Sequence, residues 1–260
     1  MVDGFLEALT LGLIQGLAEW LPISSEGLTY MTSRNVFGRG YQESLETAIW
    51  LHMGTLIAAL IYFRNEIPSI MAGFWSEGEG RRLLKFLILS TLSTAVTGIP
   101  LLLILRQLPI PDTISSLTIG IILILMSLMR RRNNQPLDGD ISDRKAVITG
   151  LAQGLAIIPG VSRSGVTVIT LLAQKTGLTQ SLRLSFLMSI PATAAAQIAL
   201  PILLTPPSIT PATIISLASA TIVGLLTMKI LINLSRKTAY TKLILLLGAV
   251  AIAAAVITAV

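Results

Sequence analysis

Two short stretches of this 260-residue chain gather residues that could do chemistry. In the first, Gln15 and Glu19 stand four apart, which puts them on one face of a helix, and a loop carrying Ser24, Ser25 and Glu26 follows. That face could take up a proton or hold a metal ion through Glu19. In the second, Gly160, Ser162, Arg163, Ser164 and Gly165 open a helix with small residues, hydroxyls and one guanidinium. Free backbone N–H groups at a helix start point at an anion, Arg offers a planar fork for its oxygens, and Ser162 and Ser164 can add hydrogen bonds, so this stretch suits a phosphate. A carboxylate near a hydroxyl, with an anion-holding Arg, fits phosphoryl transfer, where positioning and charge neutralisation do most of the work. Plainer alternatives stand beside each reading. These are N-cap serines with a snorkelling Arg163, a structural salt bridge for Glu19, interhelical glue for Gln15 and a solvated loop charge for Glu26.

The elements that carry these residues belong in a membrane. With 53% apolar and 12% charged residues and a mean hydropathy of +0.78, the composition excludes a soluble domain. Six apolar runs are long enough to span a bilayer, roughly 45–63, 83–105, 113–129, 184–204, 211–232 and 243–260. Two further stretches, 4–33 and 146–174, are broken near the middle by Pro, Gly and Ser, in Leu21-Pro22-Ile23-Ser24-Ser25-Glu26-Gly27 and Ile158-Pro159-Gly160-Val161-Ser162-Arg163-Ser164-Gly165. Proline removes a backbone donor and glycine loosens a helix, so each reads as a re-entrant helix, loop, helix. Asp3 and Glu7 stand where a secretory leader would be basic, so no signal peptide is expected.

The absence of cysteine and the presence of a single histidine, His52, remove zinc sites, iron–sulfur clusters, disulfides and cysteine nucleophiles. Histidine triads go too, unless His52 serves alone. In Leu51-His52-Met53-Gly54-Thr55 it reads as a hydrogen-bonded interior residue that lines the site without reacting. The net charge of +6 does not point to nucleic acid, because the basic residues flank apolar runs instead of forming a stripe. Fifteen Lys and Arg fall in 64–85, 130–145, 175–183 and 229–242, against three (Arg34, Arg39, Arg106) on the other side. Cytoplasmic loops carry the excess, so both chain ends are expected outside the cytoplasm, with the first hairpin entering from outside and the second from inside.

Sliding the sequence on itself by 138 residues aligns 12–29 with 150–167 at nine identical positions of eighteen, among them Gly12/Gly150, Gln15/Gln153, Gly16/Gly154, Ser24/Ser162, Gly27/Gly165 and Thr29/Thr167. Each unit is one hairpin plus three spans, and the odd number inverts the second copy. The expected architecture is an all-α polytopic membrane protein with six transmembrane helices and two re-entrant hairpins in two inverted repeats. Residues 1–260 form one membrane domain, with a first repeat over 1–130, a cytoplasmic linker over 131–145 and a second repeat over 146–260. Such repeats place a polar site near the bilayer midplane, where the hairpin tips meet. The copies disagree where chemistry needs them to, since Glu19 faces Ile157 and Ser25 faces Arg163. An ionisable group at membrane depth is a functional candidate by default, and Glu19 and Arg163 are each other's first candidate partner. The paired glycines read as helix packing.

The chain resembles the undecaprenyl-diphosphate phosphatases associated with bacitracin resistance. The most specific parts are Gln15-Gly16-Leu17-Ala18-Glu19 followed by Leu21-Pro22-Ile23-Ser24-Ser25, and Pro159-Gly160-Val161-Ser162-Arg163-Ser164-Gly165. The resemblance implies removal of the terminal phosphate of a polyprenyl diphosphate, with a divalent cation such as Mg²⁺ or Ca²⁺, in the cell membrane. Family members commonly carry a histidine in a Ser-Ser-Thr-Gly-His run, where this chain reads Ser24-Ser25-Glu26-Gly27-Leu28. Leu28 moves no proton, so Glu19 or Glu26 must cover that role if hydrolysis is retained.

On this reading Glu19 is base or metal ligand, Arg163 neutralises the diphosphate, and Ser25 is the preferred nucleophile. Ser24 is the second choice, and direct attack by a water remains open. Gln15, Ser24, Glu26, Gly160, Ser162, Ser164 and Gly165 are the expected substrate-binding set. The expected partners are the polyprenyl diphosphate and membrane lipid, with no nucleic acid and a homodimer left open. The rival reading is a transporter or flippase of polyprenyl phosphate carriers, because inverted repeats with midplane breaks also serve alternating access.

Overall fold

Both interrupted stretches fold as helix, break, helix. The computed structural model describes residues 4–105, 141–158, 160–199 and 209–237, with Tyr240 and Leu246. In the first stretch, α1 (Phe5–Ala18) and α2 (Ser25–Asn35) flank the break; in the second, α6 (Asp143–Gly154) and a single 3₁₀ turn (Leu155–Ile157) precede α7 (Arg163–Ala173). Serine restarts the helix in both places. Ser24 Oγ accepts from Gly27 N at 3.2 Å and Ser162 Oγ accepts from Gly165 N at 3.3 Å, each satisfying a backbone donor that the first helical turn would otherwise leave unmade. Gly160 adopts φ +84°, a left-handed conformation that an L side chain would resist.

The remaining described helices are α3 (Tyr41–Tyr62), α4 (Ile67–Ala72), α5 (Glu79–Leu105), α8 (Leu178–Ala199) and α9 (Pro211–Ser235). Four of them, α3, α5, α8 and α9, are long and apolar enough to cross a membrane, and they overlie the expected spans 45–63, 83–105, 184–204 and 211–232. The expected spans 113–129 and 243–260 lie outside the described residues, Leu246 apart.

The chain divides into two compact units that interleave the halves of the sequence: Met1–Arg64 with Ser189–Ile230, and Asn65–Met188 with Leu231–Val260. In the first unit, α1 lies against α9 at its glycines. A Cβ on Gly12 would run into the Ser216 carbonyl and come 2.7 Å from Ser219 Cβ, and one on Gly16 would come 2.7 Å from Gly224 N. Only glycine permits that approach. On α3, Gly54 approaches α9 as closely, at 2.8 Å from Ala220 Cβ and from the Leu217 carbonyl, and Thr221 Oγ1 donates to the Gly54 carbonyl at 2.9 Å. Ala8, Leu11, Leu51 and Ala220, all fully buried, fill the space between these helices with Ala212. Arg39 clamps Glu7 with Nε at 3.0 Å and Nη2 at 2.6 Å, so the buried carboxylate on α1 is paired and hydrogen-bonded.

The second unit repeats this packing with different partners. Here α6 lies against α5, where a Cβ on Gly150 would run into the Ser90 carbonyl and come 2.8 Å from Ser93 Cβ. One on Gly154 would run into Thr97 Oγ1. Threonines of α5 fasten the contact, with Thr94 Oγ1 donating to the Gly150 carbonyl at 3.0 Å and Thr97 Oγ1 to the Leu151 carbonyl at 2.9 Å. Thus Ser90, Ser93 and Gly98 on α5 stand to the second hairpin as Ser216, Ser219 and Gly224 on α9 stand to the first. Arg183 closes the unit's polar side by donating from Nε and Nη2 to Glu66 at 3.0 and 2.7 Å.

Candidate active site

α1 ends at Ala18, and Glu19 is its C-cap, with Glu19 N donating to the Gln15 carbonyl at 3.0 Å. The break after it turns the chain so that α2 comes back alongside α1. This return delivers Ser25, the first residue of α2, to Glu19. Ser25 Oγ donates to Glu19 Oε2 at 2.6 Å and Gln15 Nε2 donates to the same oxygen at 2.8 Å. Thr29 Oγ1, one turn along α2, donates to Gln15 Oε1 at 3.4 Å. Glu19 and Ser25 are each 6% exposed and Gln15 and Thr29 fully buried, so the carboxylate depends on these donors in place of water.

A further group reaches this carboxylate from α3. His52 Nε2 lies 3.4 Å from Glu19 Oε2, and His52 Nδ1 lies 2.9 Å from the Ala48 carbonyl. A carbonyl only accepts, so Nδ1 carries hydrogen and Nε2 is the nitrogen turned to Glu19. Chemically, the cluster is a serine hydroxyl held on a carboxylate by a short charge-assisted bond, with an amide and an imidazole at the same carboxylate oxygen. A hydroxyl placed in this way has a proton acceptor at hand, the arrangement that nucleophilic attack requires.

In the second unit, Ser162, Ser164 and Gly165 are buried at the start of α7, and Arg163, its first residue, is partly buried. Ser162 Oγ and Ser164 Oγ are 3.1 Å apart, and Ser162 Oγ also accepts from Gly165 N. That Gly165 N–H, expected to face an anion, is therefore engaged by the cap. Thr167 Oγ1, one turn on, shares a 2.6 Å bond with Ser185 Oγ.

Of the expected site residues in the first hairpin, Gln15, Glu19 and Ser25 come together. Ser24 does not join them, because its Oγ accepts the capping bond from Gly27 N. Glu26 is exposed on the first turn of α2, and Leu28 is 42% exposed. Two residues were underrated. Thr29 supports Gln15, and its match to Thr167 in the self-alignment was the available signal. His52, expected to line the site, faces Glu19 directly. No spacing in the sequence ties residue 52 to residue 19, because the contact is made between separate helices.

Among the described residues, no three His, Cys, Asp or Glu side chains converge on one point. The oxygen donors that could meet a cation here are the Glu19 carboxylate and the Ser25 hydroxyl, since Gln15 turns Nε2 to the carboxylate and its Oε1 accepts from Thr29. One carboxylate with a hydroxyl oxygen fits Mg²⁺ or Ca²⁺ when phosphate oxygens and water complete the shell.

The family model described as bacitracin resistance protein BacA matches residues 8–253. A protein named undecaprenyl-diphosphatase from Methanococcoides burtonii is 41% identical over 202 residues, covering 74% of this chain and 76% of that protein. One of the same name from Methanothrix thermoacetophila is 36% identical over 254 residues, covering 95% and 96%. A third, from Saccharolobus solfataricus, is 32% identical over 272 residues, covering 97% and 96%.

Proposed function

The chain belongs to the bacitracin resistance protein BacA family, and from this we infer that it is an undecaprenyl-diphosphatase, a multi-pass membrane hydrolase that removes the terminal phosphate of a polyprenyl diphosphate. The products are the lipid monophosphate and inorganic phosphate. The observation that carries the chemical reading is the 2.6 Å hydrogen bond from Ser25 Oγ to Glu19 Oε2.

Ser25 Oγ attacks the terminal phosphorus as Glu19 takes the hydroxyl proton. The bond from that phosphorus to the bridging oxygen breaks, and the lipid monophosphate leaves with the electron pair. Water then attacks the phosphoserine, phosphate departs, and the proton held by Glu19 returns to Ser25. Ser25 is favoured over Ser24 because Ser25 Oγ is the hydroxyl bonded to Glu19, whereas Ser24 Oγ serves the helix cap. Gln15 holds the Glu19 carboxylate in place throughout. Arg163 neutralises diphosphate oxygens with its bidentate fork, assisted by the Ser162 and Ser164 hydroxyls at the start of α7. Glu19 would hold a divalent cation, which would supply charge screening for the leaving group.

The finer architecture we propose is six spans with two re-entrant hairpins in inverted repeats. Its support is the nine-of-eighteen self-match and the parallel between the α1 contacts on α9 and the α6 contacts on α5. The excess of Lys and Arg in alternate loops supports chain ends outside the cytoplasm and entry of the lipid head from that side. The flippase reading is not favoured, since the relatives are named for hydrolysis and transport needs no hydroxyl held on a buried carboxylate.

The test is inorganic phosphate release from a prenyl diphosphate by detergent-purified protein, with Glu19→Ala and Arg163→Ala as controls. Release that both substitutions abolish supports the reading. Well-folded wild type that releases no phosphate overturns it, because a detergent micelle has no two sides for a transporter to connect.

A further inference from the structure

We propose that His52 is a positioning residue for phosphoryl transfer, holding the Glu19 carboxylate in the one orientation that meets Ser25; this rests on the reading of Glu19 as the base for Ser25. The ring is fixed at both ends. Nδ1 is tied to the Ala48 carbonyl, four residues back on the same helix, at 2.9 Å, and Nε2 lies 3.4 Å from Glu19 Oε2. The ring therefore bridges the backbone of α3 and the carboxylate. The Glu19 side chain is 4% exposed and that of His52 20%, so water contributes little to orienting the carboxylate.

Besides Ser25, two side chains approach Glu19 Oε2, each from a different helix. Gln15 comes from α1, one turn before Glu19, and so moves with it. His52 comes from α3 and supplies the fixed external reference that a pair on one helix lacks. That reference is rigid because α1 and α3 rest on the same segment of α9. A Cβ on Gly16 of α1 would come 2.9 Å from the Ala220 carbonyl, and one on Gly54 of α3 would come 2.8 Å from Ala220 Cβ. One turn along α9, Gly224 has Trp20 Nε1 beside it, and Thr55 Cγ2 and Ala58 Cβ as well. Glu19 therefore directly precedes, and His52 stands two positions before, a residue packed on Ala220 to Gly224. Thr55 Oγ1 donates to the His52 carbonyl at 3.1 Å, and Thr221 Oγ1 donates to the Gly54 carbonyl at 2.9 Å, which locks this turn of α3.

A positioning residue changes turnover and leaves ground-state binding alone, since only the transition state needs the aligned carboxylate. The experiment compares kcat and KM for phosphate release in wild type, His52→Leu, His52→Gln and Glu19→Gln, together with thermal midpoints in detergent. Leu packs but cannot hold the carboxylate, whereas a Gln amide can reach the same oxygen with an N–H. The expected result is a kcat loss of up to about a hundredfold for His52→Leu, the scale set by a misplaced catalytic group, with KM close to wild type. His52→Gln is expected to recover most of that loss.

If the Leu variant melts early, His52→Asn replaces it, because its amide is polar but too short to span the gap. Wild-type kcat in whichever of these two variants is folded overturns the positioning role. A loss carried by KM alone overturns it too, as does a Gln variant no better than the Leu or Asn variant. Wild-type turnover in Glu19→Gln overturns the underlying base assignment instead, so the two failures are distinguishable in one assay.

Discussion

Ser25 Oγ donates to Glu19 Oε2 at 2.6 Å across the break between two helices, the two residues standing six positions apart in sequence. The break makes the bond possible. A continuous helix would set residues 19 and 25 well over one turn apart and on different faces, whereas the turn after Ala18 returns α2 alongside α1 and sets its first residue against the C-cap of α1. The same break removes Pro22 from helical duty and lets Ser24 cap the restart. One local device thus terminates a helix, starts another and sets a serine hydroxyl on a buried carboxylate.

Arg163→Lys is expected to lower turnover by about one to three orders of magnitude, because a point charge replaces a planar fork that can engage two phosphate oxygens together. Initial rates of phosphate release at saturating substrate measure it. Near-normal turnover in the Lys variant would remove the fork from the mechanism.

Chelation of divalent cations by EDTA is expected to stop phosphate release, and excess Mg²⁺ or Ca²⁺ to restore it. A single carboxylate among neutral oxygens holds such a cation weakly until phosphate oxygens join it, so the restoration should depend on substrate concentration. Turnover that continues unchanged in EDTA would assign the charge screening to Arg163 alone.

Gly12→Ala and Gly150→Ala are expected to lower stability by about 1 to 3 kcal/mol each, the usual range for forcing a methyl into a packed contact. The new methyl would meet the Ser216 carbonyl in one case and the Ser90 carbonyl in the other. Gly40→Ala is the control, because nothing lies within 4 Å of the added carbon. Thermal midpoints in detergent compare the three, and equal midpoints would contradict the close helix approach.

The two helix breaks were legible in the sequence because proline, glycine and capping serines act locally, and the backbone conformation they impose depends little on what packs around them. The pairing of Gln15 with Glu19 was legible for the same reason, since i and i+4 share a helix face. Tertiary contacts were not. Gly12 and Gly150 announced close packing, but nothing near them named α9 and α5 as the surfaces they meet. His52 gave no sign of its partner, because its approach to Glu19 depends on how α3 and α1 both seat on α9. Hydroxyls were legible as a class and not by role. Ser24 and Ser25 are neighbours of one type, and only the direction of the helix restart makes one a cap and the other a donor to Glu19.

The most direct test of the central claim is turnover of Ser25→Ala, measured as phosphate release beside Ser24→Ala, with a thermal midpoint for each. The account predicts that Ser25→Ala, folded like wild type, loses about three orders of magnitude or more, while Ser24→Ala loses stability at the cap and keeps most of its turnover. Turnover of folded Ser25→Ala within about tenfold of wild type would contradict the account and assign the attack on phosphorus to water.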